Sequence, residues 1–221
     1  GVPARTDLTT VELLRASLLA FSDLLQRHQA VINRLNVYPV PDGDTGTNMA
    51  RTLDTVTAEM SAADDDLSAT CAAIGHGALM GARGNSGVII SQILRGLSGS
   101  LRDAGDTAAT TADEFAAALQ AAADGAYSAV LTPIEGTILT VVREAAAAAK
   151  ATAGGNGSTE LIDVVRAARD AGYDALANTP ELLPVLKEAG VVDAGGAGFV
   201  LLLDAVAHVL ADDPLPEPDE S

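Results

Sequence analysis

Val11, Leu14, Leu18, Phe21 and Leu25 step along the start of the chain by three and four residues. That is one apolar stripe at helical period, and no later stretch shows the strict alternation of a half-buried strand. The period restricts the chain to helices packed on helices. Composition agrees: alanine supplies 43 residues, aromatics 3%, and tryptophan is absent. A core of Ala, Leu, Val and Ile suits closely packed helices better than a β-sandwich. Thr9 or Thr10 is the expected cap of the first helix, with Glu12 at the positive end of its dipole. The helix is expected to run to about residue 30, its apolar patch continuing through Val31, Ile32 and Leu35.

Further helices are expected over about 47–62, 67–82, 88–101, 112–130, 137–151, 159–177, 180–188 and 199–210. The segments between them hold most of the glycine and proline. Pro39 and Pro41 forbid ordinary helix in Asn36-Val37-Tyr38-Pro39-Val40-Pro41, and Asp42-Gly43-Asp44-Thr45-Gly46 follows as a tight loop. Thr45 or Thr47 can cap the helix after it. A second glycine loop spans Gly81-Ala82-Arg83-Gly84-Asn85-Ser86-Gly87, and a third cluster Asp193-Ala194-Gly195-Gly196-Ala197-Gly198. Residues 103–110 read as a weak linker and 153–158 as a surface loop.

The chain carries 13 Lys+Arg against 30 Asp+Glu, a formal charge of −17. That balance excludes sequence-independent nucleic-acid binding, which needs clustered cations to displace counterions, and it disfavours an anionic membrane surface. Only 19% of residues are charged, so an acidic disordered chain is excluded as well. Cys71, the single cysteine, permits no intramolecular disulfide or cysteine-based zinc site and reads as a small buried hydrophobe. No apolar stretch is read as reaching the roughly 18 residues that span a bilayer. With no signal-peptide pattern at the start, a cytoplasmic domain is expected. Residues 1–211 are read as one domain and the proline-rich acidic stretch 212–221 as a linker to further domains outside this chain.

Asp42 and Asp44 are the sharpest local feature. Two carboxylates flanking a glycine after a proline-stiffened segment can converge on one hard cation, Mg²⁺ or Mn²⁺, and Asn36 offers a neutral oxygen from the same loop. The same pair equally suits turns and helix ends. A polyphosphate could approach these carboxylates only with metal between them. Helix starts after glycine loops present unpaired amides to anions. No G-x-x-x-x-G-K-[ST] loop is present, nor the H-R-D and D-F-G signatures of protein kinases.

The run Asn36-Val37-Tyr38-Pro39-Val40-Pro41-Asp42-Gly43-Asp44-Thr45-Gly46-Thr47-Asn48-Met49 closely resembles the signature of the nucleotide-binding domain of bacterial fatty acid kinase, a relative of the nucleotide-binding subunit of dihydroxyacetone kinase. The resemblance continues through Ala82 to Gln92, Pro133 to Leu139, and Val192 to Gly198, in the right order over nearly the whole chain. It implies an all-α fold, a barrel or bundle of about eight antiparallel helices with the nucleotide held at one end. The metal loop falls on Asp42 and Asp44. Dihydroxyacetone kinases open that loop with a third aspartate, where the nearest residue here is Asn36. Phosphate and nucleotide contacts map onto Thr45, Thr47, Asn48, Asn85, Ser86, Gly87, Thr137, Asp193 and Gly195. Function and partners are implied in the same way: ATP with Mg²⁺, and phosphoryl transfer to the carboxylate of a fatty acid on a separate fatty-acid-binding carrier protein. A dihydroxyacetone-type kinase subunit and a non-catalytic nucleotide-binding module are the rival readings. A homodimer is also compatible with the apolar helix faces.

Other residues have plainer expectations. His76 reads as a packed helix histidine, His28 and His208 as helix-surface residues, and Tyr127 and Tyr173 as core or interface residues. Arg83 could neutralise phosphate or sit in a surface ion pair, and Glu135 could act as an acid, a metal neighbour or a cap.

Overall fold

The computed structural model describes residues 3–105 and 109–219; the middle of the 103–110 linker lies outside the described residues, as do the first and last two positions. Nine helices and no strand occur among the described residues: α1 (Thr10–Leu35), α2 (Thr45–Ala62), α3 (Leu67–Gly81), α4 (Gly84–Ala104), α5 (Ala112–Ser128), α6 (Ile138–Ala153), α7 (Leu161–Leu182), α8 (Pro184–Ala189) and α9 (Ala194–Ala211). Helices α1 to α7 each pack on the next, α7 packs on α9, and α9 packs back on α1. Eight long helices thus close into a barrel, with α8 a short appendage of α7.

The first helix forms as its stripe dictates. Thr9 caps it in a capping box, its hydroxyl accepting from the Glu12 amide while Glu12 reaches back to Thr9 N–H. Val11, Leu14, Leu18, Phe21 and Leu25 are all buried. Phe21 and Phe199 are fully enclosed, and alanine faces on α5 and α6 fill the space between larger side chains.

The barrel corrects several expectations. Helix α9, 18 residues with mean hydropathy 1.8, is long and apolar enough to cross a membrane by length and composition. It is a wall helix packed on α1, α7, α6 and α2, with 78% of that window buried. The sequence reading missed it because Gly195, Gly196 and Gly198 break the run of large apolar residues without adding polarity. Helix α7 runs through Pro180 to Leu182 rather than ending near residue 177. Pro180 cannot donate to the Leu176 carbonyl, and the Thr179 hydroxyl takes that carbonyl instead at 2.7 Å.

The stretch 212–219 is extended, as a linker would be, yet it is strapped to the barrel. Asp213 accepts from Arg166 at 2.7 and 3.0 Å and from Arg169 at 2.7 Å. His28 Nε2 donates to the Pro216 carbonyl at 3.0 Å, so His28 is buried beneath the strap rather than free on the surface. His208 donates to the Asp213 carbonyl at 3.0 Å. Tyr173 keeps one edge in solvent and donates its hydroxyl to buried Asp204. Cys71 is buried, as its surroundings on an alanine-rich helix required.

Candidate functional site

Helix α1 stops at Asn36, whose side chain organises everything that follows. Its Nδ2 donates to the carbonyls of Tyr38 (3.4 Å) and Val40 (3.1 Å). Its Oδ1 accepts the amides of Asp44 (3.1 Å) and Thr45 (3.2 Å). One buried amide thereby ties together both ends of the proline loop. The oxygen that the sequence offered to a cation is committed to the backbone, so Asn36 acts here as a strut. Between the two aspartates the chain turns at Gly43 with φ +68°, a conformation strained for any residue with a Cβ.

Asp42 is exposed and Asp44 half-buried. A hydrogen bond with the Asp42 carboxyl holds the Asp44 pKa above the usual carboxylate range; burial and the Asp42 charge push the same way, and Asn48 partly offsets them. No ion pair reaches either aspartate among the described residues. The two carboxylates crowd each other without a counter-charge, an arrangement that a divalent cation relieves. Among the described residues no group of three or more His, Cys, Asp and Glu could hold a metal. A cation here would take two protein carboxylates and draw its remaining ligands from water and substrate oxygens, the habit of Mg²⁺.

Four helix starts gather at this end of the barrel. Ser86 on α4 donates to the Thr45 carbonyl on α2 at 3.4 Å. A Cβ on Gly84, itself at φ +67°, would collide with the Asn48 amide. The Asp193 carboxylate accepts the Gly196 amide of α9 at 2.8 Å and also the Ile138 amide of α6. Gly198 of α9 rests on Met49 of α2, each the fifth residue of its helix.

The four starts differ in what satisfies their amides. On α2, Asn36 takes Asp44 and Thr45, and Asn33 takes Thr47 at 3.1 Å. On α6 and α9, Asp193 serves both, and Thr137 caps Leu139 at 3.3 Å. Helix α4 stands apart. Arg83 supplies no side-chain cap, and the amides of Gly84, Asn85 and Ser86 meet no acceptor among the described residues. An uncapped first turn beside an uncompensated carboxylate pair is a place where an anion and a cation can bind together.

The residues expected in the site therefore separate by what they touch. Asp42 and Asn85 are exposed and Asp44, Asn48 and Ser86 half-buried, with Ser86 and Asn48 at the contact between the α2 and α4 starts. Gly87 is buried, where a Cβ would lie 2.6 Å from Thr52 Oγ1. The Thr47 hydroxyl accepts from Gln29 (2.9 Å) and Asn33 (3.0 Å), so this side chain is turned to α1. Thr45 is the first helical residue and does not cap α2; the cap position belongs to Asp44. Thr137 donates to the Ile134 carbonyl at 2.7 Å and stays buried. Asp193 is buried too, and desolvation lifts its pKa to about 6 although the Gly196 and Ile138 amides pull it down. Its carboxylate is a structural clamp, with half-buried Gly195 at the tip it supports.

The DAK2 domain profile matches residues 39–208, from within the proline loop into the last turn of α9. The chain belongs to the DAK2 domain family. It is 43% identical over 201 residues to protein YloV of Bacillus subtilis (strain 168), a match covering 90% of this chain and 35% of that protein. To an uncharacterized protein of Staphylococcus saprophyticus it is 46% identical over 183 residues, 80% of this chain and 32% of the other. This DAK2 domain thus spans about a third of the length of the curated relatives it matches. Its fold matches that of the dihydroxyacetone kinase from C. freundii crystallised with AMP-PNP and Mg²⁺, at a TM-score of 0.60 and 18% identity over 94% of this chain and 36% of that one. The native form of that kinase gives 0.55 at 17% identity.

Some residues of this end escaped the sequence reading. Thr52, fully buried, donates to the Asn48 carbonyl (2.7 Å) and accepts the Arg83 amide (3.2 Å), pinning α4 to α2. Only its place one turn after Asn48 hinted at this. Glu135 is neither free acid nor cap: Thr140 (2.5 Å), Tyr127 and Arg143 all donate to it. Burial raises its pKa, but those hydrogen bonds and the Arg143 charge outweigh it and hold the carboxylate ionised. His76 is largely exposed and pairs with Glu59 at 2.7 Å, so it is not a packed histidine.

Proposed function

We propose that this DAK2 domain binds ATP with Mg²⁺ and transfers a phosphoryl group to the carboxylate of a fatty acid held by a separate fatty-acid-binding carrier protein. The observation that carries the reading is the pairing of two crowded carboxylates with the uncapped start of α4. Asp42 and Asp44 hold the metal; the amides of Gly84, Asn85 and Ser86, with Asn48, receive the phosphates. Mg²⁺ supplies charge neutralisation between carboxylates and phosphates. Thr45 and Gly87 shape the walls of the site, while Thr137, Asp193 and Gly195 hold the α6 and α9 starts at its border. Thr47 contributes by fixing α2 to α1.

The acceptor assignment rests on the likeness of the Asn36–Met49 run to fatty acid kinases. A carboxylate is ionised at neutral pH, so an acyl oxygen can attack the terminal phosphorus while the bond to the departing nucleoside diphosphate breaks. That transfer yields an acyl phosphate with no proton to remove, and it needs positioning more than a general base. A cytoplasmic setting would supply both ATP and Mg²⁺. The fold shared with dihydroxyacetone kinase favours a second acceptor class, a small ketose held by a partner subunit.

Phosphoryl transfer from labelled ATP, assayed with carrier-bound fatty acid and separately with dihydroxyacetone plus its partner subunit, tests the reading. Label in acyl phosphate, abolished by Asp42→Ala, is the expected result. Transfer only to the ketose would replace the acceptor. Binding of ATP with transfer to neither would favour a regulatory module.

A further inference from the structure

The chain has far more acids than bases, and most of its arginines are engaged by carboxylates. Two that are not, Arg51 and Arg83, lie at the α4 start. Arg83 immediately precedes the uncapped turn, is exposed, and its guanidinium donates only to the carbonyls of Met80 (3.3 Å) and Ala82 (3.2 Å). Arg51 is on α2, where Asn48, Arg51, Thr52 and Thr55 share one face by their three- and four-residue spacing. The other three members of that face all meet the 81–87 loop. Asn48 lies against Gly84, Thr52 accepts the Arg83 amide, and a Cβ on Gly81 would lie 2.5 Å from Thr55 Cβ. Arg51 is the exposed fourth member and makes no ion pair among the described residues.

Two exposed guanidiniums without carboxylate partners beside an uncapped helix start concentrate positive charge and free amides where an anion can be held. Asp54, one turn along α2 from Arg51, accepts from Gln26 at 3.1 Å instead, and neither Asp42 nor Asp44 pairs with either arginine among the described residues. We propose that Arg51 and Arg83 are phosphate-binding residues that grip the outer phosphates of the nucleotide and so select a triphosphate over a monophosphate. This rests on the nucleotide reading above. Each guanidinium presents a planar fork of donors suited to phosphate oxygens, and the two weak carbonyl contacts of Arg83 are readily exchanged for charge-assisted ones. With only two carboxylates on the metal, the arginines take up phosphate charge that the cation leaves over.

The test is calorimetric titration of the 221-residue chain with ATP, ADP and AMP in Mg²⁺. It compares the unaltered protein with Arg51→Gln, Arg83→Gln and, as control, Arg95→Gln. Arg95 is also exposed and without an ion pair, but it lies three turns along α4 from the loop. Each of the first two variants is expected to lose about tenfold in ATP affinity, with AMP affinity and thermal midpoint unchanged and the control unaffected. Equal losses for ATP and AMP, or no loss for either, would overturn the assignment while leaving the nucleotide site intact. If the unaltered protein binds none of the three, the nucleotide reading fails and this assignment falls with it.

Discussion

Asp213 and Asp44 both sit beside a helix end, and the fold treats them in opposite ways. Asp213 receives Arg166 and Arg169 together; the two Arg166 hydrogen bonds, with the one from Arg169, outweigh burial and hold its carboxyl down to about 2. Asp44 receives another carboxylate, and its pKa is raised. The first is a finished interaction that fastens the 212–219 strap. The second has no Arg or Lys partner among the described residues, and the Asn36 side chain fixes the backbone on both sides of it. A carboxylate pair held together without a cation gains nothing for stability, so its geometry points to a ligand.

The largest effect should come from breaking the unfinished side. Asp44→Asn is expected to lower Mg²⁺-dependent nucleotide affinity at least about 100-fold, measured by calorimetry. Its thermal midpoint should hold or rise, because the substitution relieves like-charge repulsion. A drop in stability would show that the pair contributes to the fold. Next is Gly84→Ala, which strains φ +67° and pushes on Asn48. It should cost about 1–2 kcal/mol in denaturant unfolding and weaken nucleotide binding, since both sides of the site move.

Smaller effects belong to the finished side. Asp213→Asn should cost about 1 kcal/mol, kept low because the Arg166 side chain is partly exposed, with nucleotide affinity unchanged. Its folded pKa of about 2 lies below the ordinary value of 3.8, so its contribution is complete above 3.8 and disappears as pH falls toward 2. Asp193 runs the other way. With a folded pKa of about 6, the folded state holds more protons than the unfolded one between 3.8 and 6, and stability falls as pH rises through that window. Denaturation of the unaltered chain and of Asp193→Asn at pH 4, 5, 6 and 7 should show a slope in the first that flattens in the second. An identical slope in both would remove Asp193 from the account.

What the sequence made legible was the part with local causes. The α1 stripe, the proline break at Asn36 and the aspartate turn all follow from neighbours within a few residues. Helices α2, α4 and α9 begin earlier than their apolar periodicity predicts, because the first turn of a helix needs no apolar residue and accepts glycine, as at Gly84 and Gly195. Long-range pairings left no local trace. Nothing near His28 announces Pro216, and nothing near Arg166 announces Asp213, some 47 residues away. The Asn36 strut is hidden for a related reason: sequence does not show which backbone atoms a side chain binds.

The central claim, that the α2 and α4 starts form one site for a metal and a polyphosphate, is tested most directly by titrating ATP into this chain with Mg²⁺ and again with excess EDTA. Micromolar binding that vanishes with EDTA is the result this structure calls for. Equal binding in both conditions would separate the nucleotide from Asp42 and Asp44, and an absence of binding in both would contradict the claim outright.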